Sequence, residues 1–399
     1  MARTGININI SNTVLAPPAS VNSNSMLIVV GAKATSASPG TVAFELDMPY
    51  KLTSANDLAS YGITEANNKD LYEQVNDFYQ PKAYVNNSGT ILWIVGLAGY
   101  TSKIEDKLPL WVKYTTVGGN EYRPRQILIS NDPTKMTSAP DVTKLQAAVM
   151  KMYAQAFSTC IITDVGVITG DISELEDLST KASGMVGVVT FTKRQGSRAA
   201  VGAVGGWVST LSVGTSMGDG SLSAFGTDLF FVDGAVSGST VTWANSPCAS
   251  ASQATIDALS DKQYIFPISR PPENGLWIND GSTAEDSSTA LCTIEAARTI
   301  ASVVDDLRAF FNKYLNTKIP TSKSGDIQST FKQVMLDAAR ASVIQPYIDS
   351  GDISDATIQI VAKNNDMQGT RTLEVTLGIQ QAITLRWVEG FVFYVKSVE

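Results

Sequence analysis

The chain has no histidine at any of its 399 positions. That removes Ser-His and Cys-His nucleophile systems, imidazole proton transfer near neutral pH and the commonest metal ligand. Cysteine is nearly as scarce. Cys160, Cys248 and Cys292 are far apart, with no CxxC or metal-ligand spacing, so they read as structural thiols in reduced surroundings. Charged residues make up 17% of the chain, against a usual share of about a quarter. A surface with so few charges is either covered by other subunits or simply rich in Ser, Thr and Asn, and composition leaves both open. The net charge is −8 and there is no long basic run. This argues against nucleic acid and anionic membranes as partners. MARTGININI lacks the apolar core of a secretory signal, and the longest apolar run, Met26 to Ala32, is far too short to span a bilayer. The expectation is a protein made in a cytoplasm that stays soluble until it assembles, with no direct membrane binding.

Hydrophobic content of 44% is that of a globular protein, and the length predicts two or three domains. GININI puts Ile6, Ile8 and Ile10 on one strand face with Asn7 and Asn9 on the other, followed by the Pro/Ser/Asn tether SNTVLAPPASVNSNS. The last stretch, AITLRWVEGFVFYVKSVE, repeats the pattern: Ile383, Leu385, Trp387, Phe391, Phe393 and Val395 alternate, interrupted only by Glu389. Such a strand is competent to pair with another chain.

Between these ends, MLIVVGA and GTILWIVGL read as buried strands. NKDLYEQVNDFYQP spaces Leu71, Val75, Phe78 and Tyr79 as a helix, and SANDLASYG predicts a short helix capped by Ser54 or Asn56. From about residue 116, strands (RQILIS, TCIITDV, GMVGVVTFT) alternate with helices (DVTKLQAAVMKMYAQAF, DISELEDLSTKAS, SRAAVGAVGGWVSTL). Short connections between them predict a parallel sheet. Residues 213–264 are rich in Gly, Ser and Ala, with short strands such as DLFFVD and STVTWA. Two long helices, about 289–315 and 326–344, precede the strands ATIQIV and TLEVTLGI, which NNDMQG joins as a hairpin. The predicted class is α/β: a mixed α+β core over 26–115 and 266–381, an inserted α/β domain over 116–265, an N-terminal arm over 1–25 and a C-terminal arm strand over 382–399.

Nothing in this pattern carries chemistry. The strand RQILIS runs into NDPTK without a glycine, TCIITDV is followed by no GxGxxG, and GAVGG (202–206) falls inside a helix. No GxxxxGK[ST] occurs, so a nucleotide site lacks its phosphate cradle. Asp280, Glu285 and Asp286 in NDGSTAED lack EF-hand spacing and read as acids before a helix N-terminus. Asp164 stands where an α/β enzyme puts an acid, but with no base beside it in the sequence pattern. No catalytic residue, cofactor or metal is expected.

The order of segments resembles the contractile tail sheath proteins of bacteriophages and contractile injection systems. PYKLTSANDLASYG, LYEQVNDFYQ and GTILWIVGL are similar to that family's N-terminal core, although Leu58 and Tyr61 stand where it often has Phe and IVGL lacks its arginine. GLWINDGSTAEDSSTALCTIEAARTIASVVDDLRAFF resembles the sheath segment running from an NDGRT turn into a helix, and ATIQIVAKNN…TRTLEVTLGI…AITLRWVEGFVFYV resembles the sheath C-terminus. The resemblance covers roughly 40–100 and 266–399. It implies a non-enzymatic homo-oligomer, a helical polymer that exchanges terminal strands at Ile6, Ile8, Ile10, Ile383, Leu385, Trp387, Phe391, Phe393 and Val395. It also implies an inner tail tube protein, baseplate and terminator proteins as partners, and a place in the sheath of a virion tail or injection particle assembled in a bacterial cytoplasm. Because it places the C-terminal helices innermost, Lys332 and Arg340, eight residues apart on the second helix, are candidate tube contacts. An α/β enzyme using 116–265 and another self-assembling tail or surface-layer protein are the alternatives.

Overall fold

The computed structural model describes residues 24–80, 90–99, 104–118, 123–132, 141–166, 172, 175–196, 198–232, 246–270, 272–363 and 367–382. GININI, the segment STVTWA and the terminal stretch from Ile383 onward lie outside these residues.

The apolar runs read as strands form one six-stranded sheet. Its strands are β1 (Ser25–Val30), β2 (Pro49–Leu52), β3 (Leu92–Leu97), β4 (Gln126–Ser130), β5 (Cys160–Asp164) and β6 (Val186–Val189), in the order β2-β3-β1-β4-β5-β6. All pairs are parallel except β2 with β3. Every residue of β1, β3, β4, β5 and β6 is buried. A parallel sheet covered on both faces requires this, and it is why these strands appear in the sequence as unbroken apolar runs. Helix α1 (Lys69–Tyr79) packs on α4 (Val201–Thr210), and α2 (Ile104–Thr115) packs on α3 (Val142–Ala154). Beyond β6, the chain adds the short pair β7 (Phe191–Thr192) and β8 (Phe230–Phe231), helix α5 (Gln253–Asp261), and the hairpin β9 (Pro267–Ser269) with β10 (Leu276–Ile278).

This sheet corrects the expected division of the chain. β1 pairs along its length with both β3 and β4, for example Leu27 opposite Ile94 and Leu128, so the boundary expected at 116 runs through one sheet. A single apolar core extends from Met26 to Val304. Residues 116–265 are therefore not a separate insertion, and the chain's second core begins elsewhere. It comprises Val303, Leu307, Phe310, Phe311, Ile327, Met335, Val343, Ile344, Tyr347, Ile353, Ile360 and Ile379. The two cores meet within one helix, α6 (Ile294–Asn312), which starts in the first and ends in the second.

α6 is capped by Thr293, whose hydroxyl accepts from the Ala296 N–H at 3.3 Å. It crosses the edge from which the parallel strands start. There Asp305 sits largely enclosed between Arg123 and Arg125, just before β4, and pairs with both. Arg308 donates to Ser158 Oγ, just before β5, at 2.8 Å and to the Tyr153 carbonyl in the last turn of α3 at 2.6 Å. Burial lowers the Arg123 and Arg125 guanidinium pKa values only to about 10, so both stay charged at neutral pH. On the next residue of the helix, Asp306 accepts from the Tyr347 hydroxyl in the second core.

The second long helix is interrupted. α7 (Ser329–Ala339) passes into a π segment, Arg340–Ile344, and continues as α8 (Gln345–Asp349). Pro346 accounts for the change of register. It has no N–H to give, and the Gln345 N–H before it bonds five residues back, to the Arg340 carbonyl. The antiparallel strands β11 (Ile353–Ala362) and β12 (Leu373–Gln381) pack on these helices. The connection expected as a plain turn contains a short helix, Met367–Thr370. The helix expected over DISELEDLSTKAS is, among the described residues, only a 3-10 turn, Leu178–Lys181.

The α1–α4 contact is unusually close because Gly202 and Gly206 face Gln74 and Phe78, one turn apart on each helix. A Cβ on Gly206 would lie 2.2 Å from the Phe78 carbonyl oxygen, and one on Gly202 equally close to that of Gln74. Gln74 fastens the contact, accepting from the Gly202 N–H at 2.6 Å and donating to the Ala199 carbonyl at 2.9 Å. Replacing Gly206→Ala should therefore cost about 1–3 kcal/mol despite its gain in helix propensity. Equilibrium denaturation checks this, and an unchanged or raised midpoint would show that the helices can separate freely. Asp305→Ala should cost more, about 3–5 kcal/mol, since two arginines lose their buried counter-charge.

Candidate assembly and binding sites

In a parallel sheet of this order, a ligand crevice opens where the chain reverses direction across the sheet, at the carboxyl ends of β1 and β4. Here that position is filled by a side chain. Arg198, nearly buried, donates to the Val30 carbonyl at the end of β1 and pairs with Asp70 of α1 at 2.7 Å and Asp132 after β4 at 3.4 Å. Gly31, with φ of 87°, lets the chain turn beneath it; a Cβ there would meet Asp132 at 2.7 Å and Arg198 at 2.9 Å. Asp164 ends β5 beside this cluster. Burial raises its pKa to about 6, and its carboxylate accepts from the Asn131 N–H and side-chain amide, each at 2.6 Å, and from the Gly166 N–H at 3.1 Å. The acid that an α/β enzyme would expose is used to tie two strand ends together.

The NDGSTAED segment meets the first turn of α6. Glu295 is buried there, with Oε2 lacking a hydrogen-bond partner, and a Cβ on Gly281 would lie 2.6 Å from that oxygen. Burial, with the nearby Asp280 charge adding to it, pushes the Glu295 pKa up to about 8. Among the described residues, no group of three or more His, Cys, Asp or Glu is placed to hold a metal. A folded-state pKa above the unfolded one means that the folded chain holds a proton the unfolded chain releases. Stability is then lost as pH rises from about 4.5 to about 8 and levels off above that. Glu295→Gln should raise the melting temperature markedly at pH 8.5 and little at pH 4.5. An equal rise at both values would show that the carboxyl is ionised in the folded chain.

The C-terminal sheet offers a different kind of site. β11 and β12 form a two-stranded sheet, so among the described residues each strand has one neighbour and one open edge. Its inner face, with Ile353, Ala356, Ile360 and Ile379, is buried against the second core, while Ser354, Asp355, Thr357, Gln359, Glu374 and Thr376 are exposed. A strand added at either edge would extend an apolar layer already packed on helices.

The two tube-contact candidates lie on α7 and at its end. Lys332 is half-buried on α7, whereas the exposed side of that helix carries Thr330, Gln333, Val334 and Asp337. Arg340, at the helix end, donates to the Ala356 carbonyl at 2.8 Å and pairs with Asp355 at 3.0 Å. Its charge is committed to β11 of the same chain. The strand-exchange residues Ile6, Ile8, Ile10, Ile383, Leu385, Trp387, Phe391, Phe393 and Val395 all lie outside the described residues.

This architecture, a doubly wound sheet joined by one helix to a second core with a two-stranded sheet, is shared with solved proteins of contractile particles. The chain matches a protein of the anti-feeding prophage baseplate with a TM-score of 0.60 and 11% identity, covering 100% of both chains. It matches the sheath of the extracellular contractile injection system PVC, in its contracted state, with a TM-score of 0.58 and 12% identity, covering 100% of this chain and 98% of the other. A sheath tail protein from Desulfitobacterium hafniense matches with a TM-score of 0.51 and 9% identity, over 94% of this chain and 100% of the other. By sequence, residues 3–282 match the model of the DUF2586 N-terminal domain. The chain belongs to the DUF2586 family. Comparison with curated proteins gives no match.

Proposed function

We propose that this chain is the non-enzymatic subunit of a contractile sheath, polymerising helically around an inner tube and shortening to drive that tube through a target envelope. The observation that carries this reading is the end-to-end likeness to sheath proteins, which extends through α6 and the β11–β12 sheet, beyond the part matched by the family model. The filled crevice at Arg198 supports a scaffold rather than a catalyst.

Assembly rests on terminal strands. GININI and residues 383–395 each alternate apolar and polar side chains, the pattern a strand needs to add to an edge with one face buried. The open edges of β11 and β12 on neighbouring subunits are the acceptors. Because donor and acceptor are different surfaces, the contact does not close on itself and makes a filament. The remaining partners in this reading are the tube, baseplate and terminator proteins, in the sheath of a phage tail or injection particle assembled in a bacterial cytoplasm.

Negative-stain microscopy of the purified protein should show hollow helical tubes; flat sheets or monomers at all concentrations would overturn the reading. Deleting 382–399 should leave a folded monomer that makes no tubes. Unfolding of the truncated chain would mean that the segment completes its own core. Ile6→Asp with Ile8→Asp should reduce tube yield without lowering the melting temperature of the unassembled subunit, and undiminished tubes would exclude the N-terminal segment from the lattice.

A further inference from the structure

The α2–α3 layer carries an apolar stripe that, among the described residues, nothing covers. α2 buries Ile104, Leu108, Trp111 and Val112 against the sheet, as an amphipathic helix must. Its opposite side is also apolar: Leu110 is 66% exposed, Tyr114 47% and, one turn beyond the helix, Val117 84%. These positions recur at intervals of four and three, so they form a single line. Met150, on the exposed side of α3, is 40% exposed, and its neighbour Lys151 pairs with Asp106 in the first turn of α2 at 3.2 Å. On the other flank, Trp111 donates to the Asp47 carbonyl at 3.1 Å, which places the exposed Met48 next to α2.

The charges around the stripe sum to zero. Lys107 pairs with Asp47, Lys151 with Asp106 and Lys144 with Asp141, and the remaining charges of α2, Glu105 and Lys113, are opposite in sign. An oppositely charged partner would gain little here. For a chain of net charge −8, a locally neutral apolar face is where two copies approach with least repulsion. Size points the same way. A helix of 12 residues is ~18 Å long, and two helices side by side span ~20 Å, so the face offers about 350–400 Å². That is the size of the largest apolar patch on a typical monomer, a patch that is often functional, and well below the ~800 Å² per partner that holds a stable pair. It suits one of several contacts repeated along a polymer.

We propose that the Leu110–Tyr114–Val117 stripe is a second copy-to-copy contact, independent of the terminal strands and seated against a different surface of a neighbouring subunit. This rests on the sheath reading above. The test uses the full chain with two modifications. Leu110→Glu with Val117→Glu, both on well-exposed side chains, should leave the melting temperature of the unassembled subunit unchanged and cut the fraction of chain in tubes at least about tenfold at a fixed concentration. A photo-crosslinking residue at position 117 in otherwise wild-type chain should give an adduct of twice the chain mass, and its mapped partner peptide should belong to this chain. Normal tubes from the double variant, or an adduct with a different protein, would overturn the proposal while leaving the sheath reading intact. If wild-type chain makes no tubes, the sheath reading fails. The cross-link at high concentration in solution then decides the contact, and the lack of a double-mass adduct overturns it.

Discussion

The carboxylate of Asp305, largely enclosed between Arg123 and Arg125, is the point from which the rest of the molecule is organised. It sits midway along α6, where the helix leaves one apolar core and enters the other. Apolar packing is tolerant of sliding, because one leucine fits against a layer of leucines nearly as well as the next. An ion pair buried in low dielectric is not: displaced by a few ångström, it leaves charge uncompensated. Asp305 therefore fixes where α6 lies across the starting edge of β4 and β5. Asp306, bonded to Tyr347, carries that register onward to the second core. The two-stranded sheet and the layered sheet thereby hold a set relation within each subunit.

The crevice at the other end of the strands has been put to structural use. Arg198, Asp70 and Asp132 occupy the position at which related topologies bind ligands, and Asp164 with Asn131 ties the strand ends behind it. Where a nucleotide-binding sheet leaves backbone N–H groups pointing into open space, this one spends its polar groups on each other. The sheet is then a rigid layer with one end sealed by ion pairs and the other crossed by α6.

Much of this was readable from local pattern, and what was missed has a common cause. MLIVVGA, LWIVGL, QILIS and CIITD declare themselves as buried strands because both faces are covered. The spacing of Leu71, Val75 and Phe78 declares α1. The partner of each strand is not written in the strand: β1 lies between β3 and β4, so the alternation of strands and helices from residue 116 suggests a new domain although it continues the same sheet. α2 escaped notice because Pro109 lies inside it and because its outer side is apolar, which blurs the amphipathic signal. The role of Arg340 depends on Asp355, brought near only by the return of β11. The clusters at Asp305, Arg198 and Glu295 join residues far apart in sequence, and no spacing rule could have found them; a buried charge in a helix whose other face is apolar, as at Asp305 and Arg308, was the one available hint.

The glycine-lined contact between α1 and α4 also bears on how the chain reaches its fold. The two hydrogen bonds of Gln74 span 125 and 128 residues, and α1 cannot be covered until α4 has been made. Closing so long a loop precedes any reward from the contact, which places this layer among the slow steps of folding. During synthesis, β1, β3 and α1 emerge with their apolar surfaces unmatched and wait for more than a hundred further residues, a window in which chaperone capture competes with aggregation. Variants that loosen the Gly202–Gly206 contact would therefore limit the yield of folded chain.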